Sequence, residues 1–275
     1  MTTSDKKQVR PGVSLLISTY NWPQALELVL KSALRQTVLP DEIVIADDGS
    51  REDTKALIDS IRETTTLPVI HVWQEDKGFR AAKIRNKAIA RCSKDYIVQI
   101  DGDCILERHF IQDHLSLAKE NRFLCGRRVY LDPKATETTL RKRSLCLWHH
   151  PLSISYRSYL NNIRSGVMRR AFAKFYGKGA LDYISGCNMS YWRKDVLAVN
   201  GYNEVYEGWG AEDDDLVVRL YNLGVEKCCI KGGAVLYHLE HAYNSQDRLG
   251  INRELLKKQI EKGTYRIEQG VSQYL

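Results

Sequence analysis

Two hydrophobic periods alternate through the first hundred residues, and this limits the available folds more than any other feature of the chain. Val13 to Ser18, Glu42 to Ala46, Pro68 to Trp73 and Asp95 to Ile100 are short apolar runs of strand character. Between them, Pro23 to Gln36, Arg51 to Glu63 and Ala81 to Cys92 repeat apolar residues at helical spacing; Leu26, Val29, Leu30 and Ala33 share one face. Strand–helix repetition predicts an α/β fold, a mainly parallel, Rossmann-like sheet flanked by helices. Ligands of such sheets bind beyond the carboxyl ends of the strands. Those ends carry Thr19-Tyr20-Asn21, Asp47-Asp48, Gln74-Glu75-Asp76 and Asp101-Gly102-Asp103. Four successive strands therefore deliver polar or acidic groups to one edge.

From about 130 to 180 the alternation is lost, and helices and loops are expected as an insertion. The segment is aromatic (Trp148, Tyr156, Tyr159, Phe172, Phe175, Tyr176) and basic: Lys134 to Lys178 holds ten basic residues against one acid, Glu137, in a chain whose net charge is +7. Such a block suits an anionic acceptor or an anionic membrane leaflet, and equally a solvated face. No zinc-finger, helix-turn-helix or RNA-binding aromatic motif accompanies it, so no nucleic-acid partner is expected. Further on, Asp214 to Leu223 reads as a helix, Ala234 to His238 as a strand, and Asn252 to Gln269 as a charged helix packing outside the main core. One domain over 1–275 is expected, with a nucleotide-binding half (1–125), an acceptor-binding and catalytic half (126–245) and a helical tail (246–275).

No apolar run reaches the roughly 18 residues of a membrane-spanning helix, and Val13 to Ile17 is too short for a signal-peptide core. The seven cysteines, at 92, 104, 125, 146, 187, 228 and 229, form neither a Cys-x-x-Cys nor an even disulfide set. Reduced thiols and a cytoplasmic location, peripheral at the cytosolic face of the inner membrane where the basic segment touches it, are expected. Neither a Gly-x-Gly-x-x-Gly turn after the first strand nor a P-loop is present.

Three motifs carry chemistry. Asp101-Gly102-Asp103 follows an apolar strand, and carboxylates so spaced can share a divalent cation and a ribose; alone, Asp-Gly is also an ordinary turn. Asp47-Asp48-Gly49-Ser50 serves as a turn and helix cap, or offers a carboxylate to a ribose hydroxyl or base imide. Gly208-Trp209-Gly210-Ala211-Glu212-Asp213-Asp214-Asp215 combines a close-approach backbone, an apolar platform for a sugar ring and four adjacent acids. Like charges repel unless some face a cation or act as bases, although a helix N-terminus also favours acids.

Together with Arg85-Asn86, the motifs Thr19-Tyr20-Asn21, Asp47 to Ser50 and Asp101 to Asp103 resemble the family 2 glycosyltransferases with the GT-A fold. The stretch from Gly208 to Leu216, with Tyr237-His238, resembles the C-terminal part shared by β-1,4-galactosyltransferases and chondroitin-type polymerases. The resemblance implies a GT-A-like sheet and a UDP-sugar donor. Thr19, Tyr20, Asn21, Asp47, Asp48, Arg85, Asp101 and Gly102 would bind the nucleotide, with Asp48 ahead of Asp47 at the base. Mn²⁺ or Mg²⁺ would be held by Asp103 and His238, with His241 as rival and Asp101 as partner. Asp213 would be the catalytic base, and Trp209, Gly210, Glu212, Asp214, Gly186 and Asn188 would line the donor and acceptor sugars. Ala211 stands where the galactosyltransferases commonly have Gly, and Ile84 where the Arg-Asn motif is commonly preceded by Ala.

The implied reaction moves a hexose or N-acetylhexosamine to a hydroxyl of a glycan acceptor, lipid-linked or anionic, in bacterial surface polysaccharide or lipopolysaccharide synthesis. One displacement assisted by one base inverts the anomeric centre. Membrane contact would run through residues 134–178. Two other readings stay open: a nucleotide-sugar or anionic-glycan binding protein without turnover, and a metal-dependent nucleotidyltransferase.

Overall fold

A computed structural model describes residues 10–145, 156–175, 179, 181, 184–242 and 245–275. Trp148, Tyr176 and Cys146 lie outside the described residues. The expected parallel core is present: β1 (Val13–Thr19), β2 (Glu42–Asp47), β3 (Val69–Trp73) and β4 (Tyr96–Asp101), separated by α1 (Pro23–Ala33), α2 (Glu52–Arg62) and α3 (Ala81–Arg91). β1 pairs in parallel with β2 on one side and β4 on the other. The crossovers therefore diverge on either side of β1, which opens a crevice at its carboxyl end.

The sheet continues past β4 with three strands that have no clear sequence period. β8 (Asn188–Trp192) runs antiparallel to β4, β6 (Arg122–Cys125) antiparallel to β8, and β9 (Glu226–Cys229) parallel to β6. The order is β3-β2-β1-β4-β8-β6-β9. Alternate residues of the central strands point to opposite faces. Leu15, Ile17, Ile43, Ile45 and Val98 pack with α1, whereas Leu16, Val44, Ala46 and Ile97 pack with α3, α7 (Arg193–Ala198) and α8 (Glu212–Asn222). Burial on both faces explains why these strands read as continuous apolar runs. Each such fully buried Val, Leu or Ile side chain contributes about 1.5–3 kcal/mol.

A second, three-stranded sheet places the metal-type ligands. β10 (Leu236–His238) pairs antiparallel with β5 (Cys104–Leu106), His238 opposite Cys104, and parallel with β7 (Val129–Tyr130). The Leu239 N–H donates to the Asp103 carbonyl at 3.0 Å, so the end of β10 is tied to the second acid of Asp101-Gly102-Asp103.

The basic insertion forms α5 (Pro133–Lys142), a 3₁₀ turn (Tyr156–Asn162) and α6 (Gly166–Phe175). Asp113, fully buried on α4 (Phe110–Leu115), accepts from Arg164 Nε and Nη2 at 2.9 Å each and pairs with Arg169 at 3.0 Å. Two of the segment's cations are thus counter-ions of a buried acid. The six described cysteines are buried. No helix among the described residues is long and apolar enough to cross a membrane.

The tail departs from expectation. Its helix, α9 (Leu249–Lys262), sends the fully buried Asn252 against the Gly208–Gly210 turn, where Nδ2 donates to the carbonyls of Glu207 at 3.1 Å and Gly210 at 3.0 Å. A nominally peripheral helix therefore holds the loop that presents Trp209.

Candidate active site

At the carboxyl ends of β1 and β2, the first two motif loops are stitched together. Asn21 adopts φ +46°, its N–H donates to Ser50 Oγ at 2.8 Å, and its Oδ1 accepts from the Arg51 N–H at 3.0 Å. Gly49 has φ +100°, and a Cβ there would lie 2.5 Å from Asp76 Cα, so only glycine allows the β2 and β3 ends to meet. Asp48 accepts from Gln74 Nε2 at 2.6 Å and from the Arg80 N–H at 2.7 Å; burial raises its pKa. The half-exposed Tyr20 ring is anchored through its hydroxyl to Asp76 at 2.8 Å. Thr19 and Gly102 flank the switch point, with the Gly102 N–H donating to the Ser18 carbonyl at 2.6 Å. Asp47, expected as the second base contact, is instead fully buried. Its Oδ1 accepts from the Ser50 N–H at 2.7 Å, and its Oδ2 lies 2.8 Å from His71 Nε2. It staples the turn.

The middle of the crevice gathers Asp101, Asp103, His238 and His241. Asp103 Oδ2 lies 3.1 Å from His241 Nε2 and 3.7 Å from His238 Nε2, so both rival histidines reach the same carboxylate. His241 Nδ1 faces the Ala242 carbonyl at 2.7 Å, which makes Nδ1 the donor and directs Nε2 at Asp103. The hydrogen bond to Asp103, aided by that to Ala242, holds His241 up at about 9, whereas burial pushes His238 down and favours its neutral form. Carboxylate and imidazole donors together suit a borderline divalent ion such as Mn²⁺.

At the far wall, Arg85 is the joint. Its side chain is buried, and Nη2 meets Asp101 at 3.3 Å while Nη1 meets Glu212 and Asp213 at 3.2 Å each. Nε donates to Ser18 Oγ at 3.2 Å. Expected beside the nucleotide, Arg85 is instead spent on ion pairs that bind the first acidic motif to the second. Burial and neighbouring Asp213 raise the pKa of Glu212, and that of Asp214 to about 6. Asp215 is an internal partner of Arg219 at 2.7 Å, both fully buried. Asp213 Oδ1 accepts from Tyr202 at 3.0 Å as well as from Arg85. A Cβ on residue 186 would overlap Asp213 Oδ2, so Gly186 is what lets that carboxylate stand where it does. Trp209, partly exposed, rides between Gly208 (φ +72°) and Gly210 (φ +104°).

A sequence profile for glycosyl transferase family 2 matches residues 14–196. The chain belongs to glycosyl transferase family 2. A second profile, described as the N-terminal domain of galactosyltransferase, matches residues 166–242, the part that carries the Gly208–Asp215 motif and His238. Chondroitin synthase of Escherichia coli is 24% identical over 93% of this chain and 39% of its own length. Validoxylamine A glucosyltransferase of Streptomyces hygroscopicus subsp. limoneus is 25% identical over 78% of this chain and 49% of its own length. The chain thus spans about half or less of each of these relatives. A mannosyltransferase from Pyrobaculum calidifontis, solved with GDP-Man and Mn²⁺, superposes with a TM-score of 0.62 at 18% identity, covering 96% of this chain and 66% of that one. Family 2 membership and the GT-A fold decide the open alternatives in favour of a glycosyltransferase.

In this family 2 glycosyltransferase, Asn188 is not at the crevice surface. It is fully buried; Nδ2 donates to the carbonyls of Arg127 at 2.7 Å and Ala234 at 3.0 Å, and Oδ1 faces His114 Nε2 at 3.0 Å. Its polarity satisfies the junction of the two sheets. Arg128 was missed by the sequence reading. Its guanidinium stacks 4.9 Å from the Tyr130 ring, whose own face lies 5.5 Å from His238. Among the described residues no carboxylate pairs with it; its Nη1 donates to Cys187 Sγ at 3.7 Å. As one of many basic residues it carried no distinguishing sequence signal.

Proposed function

We propose that this enzyme transfers a hexose or N-acetylhexosamine from a UDP-sugar to a glycan hydroxyl, with inversion, and that Asp213 is the base. The observation that carries this reading is the Arg85 bridge: one guanidinium contacts both Asp101, at the metal-type cluster, and Asp213. Leaving group and attacking hydroxyl must lie on opposite sides of one sugar ring, and a single arginine spans the two groups that would serve them. The mannosyltransferase solved with GDP-Man and Mn²⁺ supports a nucleotide-sugar donor and a divalent ion. The galactosyltransferase-type match supports galactose or N-acetylgalactosamine over other hexoses.

Asp103, His238 and His241 would hold Mn²⁺ or Mg²⁺, with Asp101 beside them. When bound, the ion supplies charge neutralisation for the departing diphosphate. Arg128 adds a fixed cation on the same side. Asp48 and the Tyr20 ring would orient the base, and Trp209 would wall the sugars. Asp213 Oδ1 is occupied by Arg85 and Tyr202, leaving Oδ2 to take the acceptor proton.

Asp213→Asn is expected to keep donor binding, read by calorimetry across a panel of nucleotide sugars with Mn²⁺, and to lose about 10²-fold or more of transfer. Near-normal transfer would remove the base assignment. The acceptor is proposed to be anionic or lipid-linked, met at the cytosolic leaflet through residues 134–178. Failure to co-sediment with anionic phospholipid vesicles would remove that contact.

A further inference from the structure

Beneath Asp213 lies a row of polar groups with no access to solvent. Gln99, Tyr191 and Tyr202 are each fully buried. Gln99 sits in the middle of β4, Tyr191 on β8, and Tyr202 follows α7. A polar trio in the centre of a sheet is costly unless every proton has an acceptor.

The protons can be assigned one by one. Gln99 Nε2 lies 2.8 Å from the Gly186 carbonyl. A carbonyl only accepts, so this contact fixes the amide orientation; the flipped amide would oppose two oxygens. Nε2 also lies 2.8 Å from the Tyr202 hydroxyl, which takes its second N–H. Gln99 Oε1 is 2.7 Å from the Tyr191 hydroxyl and 2.9 Å from that of Tyr202. Tyr191 donates to Oε1; the one Tyr202 proton has Oε1 at 2.9 Å and Asp213 Oδ1 at 3.0 Å as acceptors, and the charged carboxylate is the stronger of the two. Burial raises both phenols above their ordinary pKa, so both stay protonated donors. The charged and titratable groups that also face Asp213 are Arg85, Glu212 and Asp214, with Asp101 beyond the arginine.

We infer that Tyr191, Gln99 and Tyr202 form a one-way hydrogen-bond chain that donates into Asp213 Oδ1, with Tyr202 as the positioning residue that holds Oδ2 turned to the acceptor. This inference rests on Asp213 being the base. The chain orients the carboxylate, and it moves no net proton.

The test compares Tyr202→Phe, Tyr191→Phe and Asp213→Asn in the full chain with Mn²⁺ and donor, across a pH series. A hydrogen bond to a charged group is worth about one pKa unit or more. Tyr202→Phe is therefore expected to lower kcat about tenfold near the acidic limb of the kcat/KM profile, to move that limb about one pH unit upward, and to leave donor KM unchanged. Tyr191 does not touch Asp213, yet Tyr191→Phe frees Gln99 Oε1 to draw the Tyr202 proton. It is expected to move the limb in the same direction by a smaller amount. If Asp213→Asn is inactive while both Phe variants keep the wild-type limb, the chain is overturned and the base stands. A loss of transfer equal at every pH, with the limb unmoved, also overturns it as mere packing damage. If Asp213→Asn transfers normally, the base reading fails first.

Discussion

The wall proposed to bind the nucleotide and the wall proposed to carry the base are held by different means. Thr19, Asp48 and Asp101 stand at or just beyond the ends of β1, β2 and β4, which pair directly in parallel register, Ser18 opposite Ala46 and Asp101. Their placement follows from the strands themselves. Asp213 instead meets Arg85 from α3, Gly186 from the loop before β8 and Tyr202 from the loop after α7, while Asn252 from α9 fixes the adjoining turn. On one wall a repeated βα unit delivers the groups; on the other, segments up to 128 residues apart must interlock. An error in the second wall is therefore expected to disable the reaction while leaving the first wall able to bind donor.

The sharpest way to break that contrast is Gly186→Ala. The added methyl overlaps the Asp213 carboxylate. Transfer should fall by about 10²-fold or more, with UDP-sugar binding by calorimetry nearly unchanged. A comparable loss of donor affinity would mean that the two walls are not separable. Asn252→Ala removes two buried hydrogen bonds. Unsatisfied carbonyls of this kind cost about 1–3 kcal/mol, so urea denaturation should detect the loss, and acceptor KM should rise more than donor KM. The smallest effect concerns Ala211, at φ +73°. The left-handed conformation costs a non-glycine residue about 1–2 kcal/mol, and glycine returns about 0.5–1 kcal/mol of that as chain entropy. Ala211→Gly should therefore stabilise by up to about 1 kcal/mol in thermal melts without changing the nucleotide wall.

Legibility in the sequence followed the same division. The elements from β1 to β4 lie within about three residues of their expected bounds, because apolar runs and helical spacing are local signals. β6, β8 and β9 were not legible. Glu226-Lys-Cys-Cys229 has neither alternation nor β-branched residues, Asn188-Met-Ser-Tyr-Trp192 alternates over only four residues, and they become strands because β4 leaves an edge to be paired. Asp47 and Asn188 looked like ligand contacts because a polar residue two positions from a glycine reads the same whether it faces a crevice or an interior acceptor. The histidine pair illustrates the reverse: His238 and His241 were rivals on paper, yet the end of β10 brings both to Asp103.

By itself the chain determined the parallel α/β core and the acidic edge, since these depend on residue type and short-range period. Only the tertiary structure decided which acids face the crevice, that Arg85 joins Asp101 to Asp213, that Arg128 has no carboxylate partner among the described residues, and that α9 holds the Trp209 turn. Each of those depends on which distant backbone occupies the neighbouring space, and no local pattern of side chains encodes that.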